Sequence, residues 1–268
     1  MRSKIIDCIT FFNENFIFNL RYNEIREYVD FLVICESKYD HQGNKKKLNF
    51  NLEKYSNDKK IKYIVLEEPF PQNNDPWKNQ AIQREHLLHN LSFVNDDDYV
   101  FFSDPDEIPN KDLYKDFKLE KKFGIFFQKS FNYKFNLFNQ YETPWDGPRV
   151  CKKINLKSID NMRQNVCAKN LKYRFYRIDK ERNIQLFTNG GWHFNNIMSA
   201  EDISKKLKTF AHTEYSSDRY SSPNVIKEKI EKKEDLFNRG YKYKKIELDN
   251  SFPKYLLENN EMYKEYIL

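Results

Sequence analysis

The sequence lacks long hydrophobic runs and is poor in glycine, cysteine and histidine. Its 268 residues include 6 Gly, 4 Cys and 5 His. No stretch reaches the roughly 20 apolar residues that a membrane-spanning helix needs, so we expect no transmembrane segment. The cysteines form no Cys-x-x-Cys pair, which argues against a zinc or redox motif. With no signal peptide at the N-terminus, we expect a cytoplasmic protein, in a bacterial cell or a virus-infected host cell.

The sequence also lacks a long run of residues that carry charge of the same sign. The chain has 46 Lys and Arg against 40 Asp and Glu, and the basic residues are spread along its whole length. Evenly spread charge is typical of a solvated surface, and no nucleic-acid recognition module is visible, so we expect no nucleic acid partner. Aromatic residues are abundant, with 23 Phe and 18 Tyr. The composition therefore predicts a self-standing core built largely from rings.

Short apolar runs and amphipathic stretches alternate in the first part of the chain, which predicts alternating strands and helices. The predicted strands are Ile5–Phe12, Val29–Cys35, Ile61–Leu66 and Tyr99–Ser103, and the predicted helices are Phe16–Tyr28 and Trp77–Leu91. Asp75 and Pro76 fit the N-cap and first position of the second helix. This order predicts an α/β fold with a doubly wound, mostly parallel sheet, which binds ligands at the carboxyl ends of its strands.

After Asn110 the pattern changes to strands joined by loops, which predicts a mixed second half followed by C-terminal helices. The predicted strands are Phe123–Tyr133, Gly147–Lys153, Leu171–Ile178 and Ile184–Phe187, and the predicted helices are Ala200–Ala211 and Asn224–Phe237. No linker interrupts the chain, so we expect one domain over residues 1–240. Residues 241–268 are expected to form a loosely attached tail, packed on the domain or extending from it.

Several carboxylates directly follow the predicted strand Tyr99–Ser103, in the segment Asp104-Pro105-Asp106-Glu107. Carboxylates gathered at a sheet edge repel one another unless a cation neutralises them. Mg²⁺ and Mn²⁺ are usually held by one or two carboxylates together with substrate phosphates. Asp104 and Asp106 are therefore the predicted metal ligands, and Asp104 is also expected near the substrate phosphates. A solvated turn is the alternative interpretation.

The segment Asn189–Phe194 is the second motif. Its paired glycines allow a ligand to approach the backbone, while Trp192 and His193 offer a flat face for a sugar ring and a metal ligand. If the segment is a strand, Trp192 and Phe194 point away from His193, which then faces the cleft. A buried structural histidine is the alternative. Downstream, His212 and Glu214 could approach the same cleft, or could simply cap a helix.

Two further polar residues lie where a nucleotide could bind. Glu36 ends the second predicted strand, where it could accept a hydrogen bond from a nucleoside or simply be solvated. Arg84 lies on the predicted helix Trp77–Leu91 and could pair with a phosphate in a bidentate manner.

In their order along the chain, these motifs resemble glycosyltransferase family 17, the family of the β-1,4-mannosyl-glycoprotein N-acetylglucosaminyltransferases. The matching segments are Ile6–Glu14, Leu20–Glu24, Val29–Ser37, Asp75–Trp77, Arg84, Ser103–Pro109, Gly190–Phe194, Lys206–Leu207 and His212–Glu214. The resemblance implies a GT-A-like fold, a nucleotide-sugar donor, most simply a UDP-sugar, a divalent cation and inversion at the anomeric carbon. The chain lacks the membrane anchor of the animal enzymes, so a glycan or glycoconjugate inside the cell is the expected acceptor.

The resemblance also suggests where the donor binds. Phe11 and Asn13 are expected with Glu36 near the base and ribose, and Glu14 completes the first matching segment. Arg21 or Arg84 is expected near the phosphates.

Inverting transfer requires a base that takes the proton from the acceptor hydroxyl. Asp146 and Glu214 are the two candidates, with Trp145 suited to stack on an acceptor sugar. We therefore predict an inverting, metal-dependent glycosyltransferase that transfers GlcNAc or another hexose. A nucleotidyltransferase, or a non-catalytic sugar-binding protein of the same fold, is the alternative.

Overall fold

The computed structural model describes residues 2–73, 75–209 and 213–268. Its strands are β1 Ile5–Phe11, β2 Phe31–Ser37, β3 Ile61–Leu66, β4 Tyr99–Ser103, β5 Glu107–Pro109, β6 Phe123–Asn132, β7 Leu137–Phe138, β8 Trp145–Lys152, β9 Ile184–Asn195 and β10 Lys244–Lys245. Its α-helices are α1 Asn15–Ile25, α2 Leu52–Tyr55, α3 Pro76–His89, α4 Ile159–Asn165, α5 Ala200–Thr209, α6 Asp218–Ser221, α7 Pro223–Lys232, α8 Lys254–Glu258 and α9 Asn260–Tyr263.

The strands form one twisted sheet in the order β10-β7-β6-β8-β4-β1-β2-β3, and β9 pairs with both β5 and β6. Strands β1 to β4 pair in parallel. Strand β8 runs antiparallel to β4 and β6, whereas β9 runs parallel to β6. The predicted α/β class, with a parallel first half and a mixed second half, is confirmed.

Burial on both faces explains the continuous apolar runs of the central strands. Every residue of β1 is buried, and α1 and α3 belong to the clusters that cover the sheet. Such runs are typical of parallel strands that have helices on both sides. The predicted start of α3 is also confirmed, because the Asp75 side chain accepts a hydrogen bond from the Lys78 N–H and Pro76 is the first helical residue.

Some predicted boundaries differ from the structure. Leu171–Ile178 is not a strand, since a short 3₁₀ helix covers Ala168–Lys172 and turns follow it. Phe175 and Ile178 lie outside in solvent, so no apolar face is available to pack on a sheet. The strand predicted to end at Phe187 continues to Asn195. The predicted end of α5, at Ala211, lies outside the described residues.

The segment after residue 240 is packed against the domain, contrary to the loose attachment expected. Leu256 and Tyr263 are completely buried in one hydrophobic cluster with residues of β6 and β9. The Leu268 N–H donates to Asn136 Oδ1 at 2.9 Å, and β10 pairs with β7. The division into a domain and a tail stays a prediction.

All four cysteines are free thiols. Cys8, Cys35 and Cys151 are buried, whereas Cys167 is partly exposed. Burial raises the pKa of Cys35 and of Cys151 to about 12. Across the described part of the chain, no helix has the length and apolar character needed to cross a membrane.

Candidate active site

The carboxylate-rich turn between β4 and β5 lies at the carboxyl edge of the parallel strands. Strand β5 pairs with β9 so that Glu107 lies opposite His193. This pairing brings His193 Nε2 to 3.9 Å from Asp106 Oδ1. Lys206, on α5, places its Nζ 3.8 Å from Asp106 Oδ2. The two sequence motifs, far apart in the chain, therefore meet at one point.

Strand β9 alternates as the sequence suggested. Trp192 and Phe194 are buried in a hydrophobic cluster, and the Trp192 indole N–H donates to the Ser251 carbonyl. His193 faces the other way, into the cavity beside Asp106. Trp192 is therefore separated from the cavity in which we expected it to contact a sugar. Gly191 permits this close pairing, since at its φ of +123° an added Cβ would meet the Ile108 carbonyl oxygen.

Trp145 takes the position beside His193 instead. The two rings stack at 4.3 Å between centroids, with an angle of 21° between their planes. The Trp145 indole N–H donates to Glu107 Oε1 at 2.7 Å, which fixes the orientation of the ring. His193 Nδ1 is buried and has no hydrogen-bond partner within the described residues.

The spacing of Asp106 and His193 is compatible with a shared divalent metal ion. Two ligands of one ion, each about 2.1 Å from it, can be at most about 4.2 Å apart, and the 3.9 Å between Asp106 and His193 satisfies this limit. Among the described residues, no group of three or more His, Cys, Asp or Glu side chains could hold an ion. An ion held by Asp106 and His193 alone would have to complete its shell with substrate phosphates and water, as Mg²⁺ and Mn²⁺ can do.

Arg163, on α4, is a site residue that the sequence interpretation missed. Its Nη2 lies 2.6 Å from Asp104 Oδ2 and 2.6 Å from Glu107 Oε1. Burial would raise the pKa of Asp104, but Arg163 and then Arg84 outweigh it and lower this pKa to about 2. Asp104 is therefore charged and held by arginine, so Asp106 is the better placed metal ligand of the pair. No local pattern around Arg163 indicates this role, because the two carboxylates that it binds lie more than 50 residues away.

Arg21 stabilises the turn between β4 and β5 from the protein interior and does not face the place where a phosphate was expected. The side chain is completely buried and binds Asp7 through two hydrogen bonds, of 2.8 and 2.6 Å. It also donates to Ser103 Oγ and to the Glu107 carbonyl, both at 2.8 Å. All of these partners are protein atoms, so the structure uses Arg21 to hold the backbone that presents Asp104 and Asp106.

Glu36 has a similar internal role. It is completely buried, and its carboxylate accepts hydrogen bonds from Lys46 Nζ, Tyr63 Oη and the backbone N–H groups of Asn49 and Phe50. Both of its oxygens are therefore occupied by the protein. Glu36 holds the loop after β2 and does not line the cavity in which we expected it to contact a nucleoside.

A cavity of about 340 Å³ extends from the ends of β1 and β4 to the segment after α7. Its volume lies within the usual range for small-ligand sites. Its lining residues are Thr10, Phe11, Phe12, Glu14, His41, Gln80, Gln83, Asp104, Pro105, Asp106, Glu142, Trp145, His193, Asn195, Asn196, Lys206, Leu207, Tyr215, Phe237 and Arg239. Five of the predicted site residues line this cavity, namely Phe11, Glu14, Asp104, Asp106 and His193.

Two other residues that were predicted to bind the nucleotide-sugar donor, Asn13 and Arg84, do not line this cavity. Asn13 lines a smaller neighbouring cavity, which Glu14 borders as well. Burial raises the pKa of Glu14, opposed by the backbone N–H groups of Phe12 and Asn13. Arg84 Nη1 pairs with Asp160 at 2.8 Å, and its Nη2 lies 3.8 Å from Asp104 Oδ1.

Neither candidate base lines the cavity. Asp146 Oδ2 accepts a hydrogen bond from the Ala168 N–H at 2.9 Å. Glu214 is exposed on a short 3₁₀ helix. His212, the alternative metal ligand, lies outside the described residues. Glu142 does line the cavity, where its carboxylate pairs with Arg239 at 2.6 Å.

Polar residues of α3 also line the cavity, and the sequence interpretation missed them. Gln83 donates to the Cys35 carbonyl at 2.9 Å, and its Oε1 lies 2.9 Å from His41 Nε2. Burial lowers the pKa of His41, which favours the neutral imidazole. Gln80 is 6% exposed, and its Oε1 is buried without a hydrogen-bond partner within the described residues. A buried acceptor of this kind favours a ligand that brings a donor.

The profile of glycosyltransferase family 17 matches residues 1–268. The chain belongs to glycosyltransferase family 17. The enzyme class expected from the sequence, a nucleotide-sugar-dependent glycosyltransferase, is therefore confirmed. Among curated proteins, no sequence matches this glycosyltransferase significantly.

Several solved structures resemble the glycosyltransferase at low identity. Glucosyl-3-phosphoglycerate synthase from Mycobacterium tuberculosis, in complex with Mn²⁺, UDP and phosphoglyceric acid, is 13% identical, with a TM-score of 0.38 over 72% of this chain and 69% of that one. HddC from Yersinia pseudotuberculosis is 10% identical, with a TM-score of 0.36 over 72% and 91%. A glycosyltransferase involved in the glycosylation of the major capsid of PBCV-1 is 10% identical, with a TM-score of 0.35 over 69% of this chain and 82% of that one.

Proposed function

We propose that this glycosyltransferase transfers GlcNAc or another hexose from a UDP-sugar to a hydroxyl group of a glycan or glycoconjugate, with Mn²⁺ or Mg²⁺ at Asp106 and His193. The observation that supports the proposal most is the distance of 3.9 Å between these two side chains, which line the same cavity. We further propose that this glycan or glycoconjugate acceptor is cytoplasmic.

The test is a panel of nucleotide sugars incubated with the enzyme and MnCl₂, with release of the nucleotide as the readout. We expect a UDP-hexose to be hydrolysed slowly in the absence of an acceptor, and EDTA to stop the release. Equal release with EDTA, or release from no nucleotide sugar in the panel, would contradict the proposal.

Within this proposal, each group near the turn has a distinct task. A bound divalent cation would offset the negative charge that builds on the departing diphosphate. Lys206, close to Asp106, adds a second positive charge on the same side. Arg163 and Glu107 hold Asp104 and the Trp145 ring in place, and the ring keeps His193 oriented toward Asp106. Because these contacts are made within the protein, the side chains of the site are already oriented before the nucleotide sugar binds.

The acceptor would approach from the side of Trp145 and Glu142. An aromatic ring is a suitable surface for the apolar face of a sugar. We propose inversion at the anomeric carbon, which requires a base on the acceptor side. Glu142 joins Asp146 and Glu214 as a candidate for this base, because it is the one of the three that lines the cavity.

The nucleoside would bind at the other end of the cavity, against Phe11 and the first turns of α3. Uracil carries an N–H group at position 3, which matches the unpartnered Oε1 of Gln80. We expect Gln80→Leu to raise the dissociation constant for UDP roughly tenfold, because the N–H group of uracil would lose its hydrogen-bond acceptor. Isothermal titration calorimetry measures this change.

Gln80→Glu keeps the acceptor oxygen and should lose less affinity for UDP than Gln80→Leu. Gln164→Leu is the matched control, since Gln164 is exposed on α4. A Gln80→Leu variant that binds UDP as tightly as the control, or a crystal soaked with UDP that shows the nucleotide at another edge of the sheet, would remove this assignment.

His193 should contribute to metal binding rather than to stability alone. We expect His193→Ala to raise the Mn²⁺ concentration for half-maximal activity by roughly tenfold or more, because Asp106 would be left as the single protein ligand at this point. The measurement is a Mn²⁺ titration of donor hydrolysis, accompanied by thermal unfolding. If the variant loses stability and its Mn²⁺ requirement is unchanged, His193 is structural.

A further inference from the structure

Residues 168–182 expose large apolar side chains on the surface between α4 and β9. Phe175 is 86% exposed, Tyr176 is 59% exposed and Ile178 is 95% exposed. Single exposed apolar residues are common, but three of them within four positions form a patch that water solvates poorly. We call residues 168–182 the docking segment.

The docking segment is also strongly basic. It contains six Lys and Arg residues against two acidic ones, which are Lys169, Lys172, Arg174, Arg177, Lys180 and Arg182 against Asp179 and Glu181. Arg177 and Lys180 pair with Asp179, and Glu181 pairs with Lys122. Lys169, Lys172 and Arg174 form no ion pair with any residue that the structure describes, so their positive charge is available to a partner.

The ends of the docking segment are fixed, whereas its middle faces solvent. The Ala168 N–H donates to Asp146 Oδ2 at 2.9 Å, and Asn170 Nδ2 donates to the Asn165 carbonyl at 2.6 Å. At the other end, Ile184 is buried and pairs with Phe123 in the sheet. The exposed rings therefore stand on a fixed base that continues directly from α4, the helix of Arg163.

We propose that the docking segment binds the surface of an anionic lipid membrane, with Phe175, Tyr176 and Ile178 inserted among the headgroups and the free basic residues on lipid phosphates. Charge complementarity selects this partner, because apolar and aromatic side chains beside unpaired Lys and Arg are the combination that favours an anionic lipid interface. The binding is peripheral. It also goes beyond the proposed function, since it holds for any acceptor.

The orientation that results is useful to a transferase. Docking through residues adjacent to α4 would keep the cavity at a constant position relative to the lipid surface, because Arg163 on α4 contacts the carboxylates of the site. An acceptor carried by a lipid would then reach the enzyme by diffusion in two dimensions.

The test is co-sedimentation of the full chain with vesicles of phosphatidylcholine alone and of phosphatidylcholine with 30% phosphatidylglycerol. We expect binding to the anionic vesicles that weakens as NaCl is raised, and little binding to the neutral ones. Phe175→Ser with Ile178→Ser should weaken binding at least tenfold, since each apolar side chain loses its transfer from water. Replacing Lys169, Lys172 and Arg174 with Ser should weaken it about fivefold per residue.

Met262→Ser is the matched control, because Met262 is 57% exposed on α9, which packs on a different hydrophobic cluster. Donor hydrolysis should be unchanged in all of these variants, which separates failure to dock from failure of the site. The inference is overturned if anionic vesicles do not bind the chain, or if the Phe175 and Ile178 variant binds like the control. It is also overturned if these side chains prove to be buried in a dimer of the chain in solution, or if a polyanion such as heparin binds while vesicles do not.

Discussion

Asp106→Ala should reduce glycosyl transfer by roughly a thousandfold or more while leaving the fold intact. The side chain lines the cavity close to His193 and Lys206, so its removal takes away the proposed metal ligand and leaves a polar, partly solvated surface. The measurement is the rate of donor hydrolysis and of transfer at saturating Mn²⁺, with circular dichroism as the check on folding.

Asp112→Ala is the control for this variant. Asp112 follows shortly after in the chain, but its carboxylate pairs with Lys115 on the exposed surface. We expect near-normal activity from it. If Asp106→Ala also retains near-normal activity, the metal and diphosphate do not bind at this turn.

Arg163→Met should be the most destabilising of the single substitutions considered. Without the guanidinium, Glu107 stays completely buried with Trp145 as its remaining side-chain partner, and Asp104 loses its nearest cation. Removing one partner of a buried ion pair costs about 3–5 kcal/mol. We therefore expect a free energy of unfolding that is lower by about this amount, measured by urea denaturation, together with a large loss of activity.

Arg2→Met provides the comparison. Arg2 also binds a carboxylate through two nitrogens, that of Asp30, but its side chain is 70% exposed. An exposed pair of this kind contributes about 0–1 kcal/mol, so this variant should be almost as stable as the wild type. Equal effects of the two substitutions would show that Arg163 does not compensate a buried charge.

The sequence predicted the central sheet well because the physical signal there is local. Strands β3 and β4 begin and end at the predicted residues, and the capping pattern of Asp75 and Pro76 places the start of α3 correctly. The strand predicted at Leu171–Ile178 was wrong for the opposite reason, because the signal there is not local. Its apolar residues look like those of a strand, but they face solvent, and no local pattern distinguishes a side chain exposed for a partner from one buried in a core.

The sequence predicted the positions of some candidate site residues correctly. Asp104 and Asp106 follow a strand and line the cavity, and alternation along β9 predicted that His193 faces it. Partners from distant elements were not predictable. Nothing near Arg21 or Glu36 in the sequence reveals that buried protein groups already occupy their polar atoms.

The distribution of the thiols makes the native protein a single-site target for chemical labelling. Cys8, Cys35 and Cys151 are buried in the central sheet, and burial raises the pKa of each of these thiols, so a maleimide reagent should reach them only when the sheet opens. Cys167 is partly exposed and lies directly between α4 and the docking segment. A fluorophore attached there needs no engineered cysteine, and the slow labelling of the other three would serve as a clock for global unfolding.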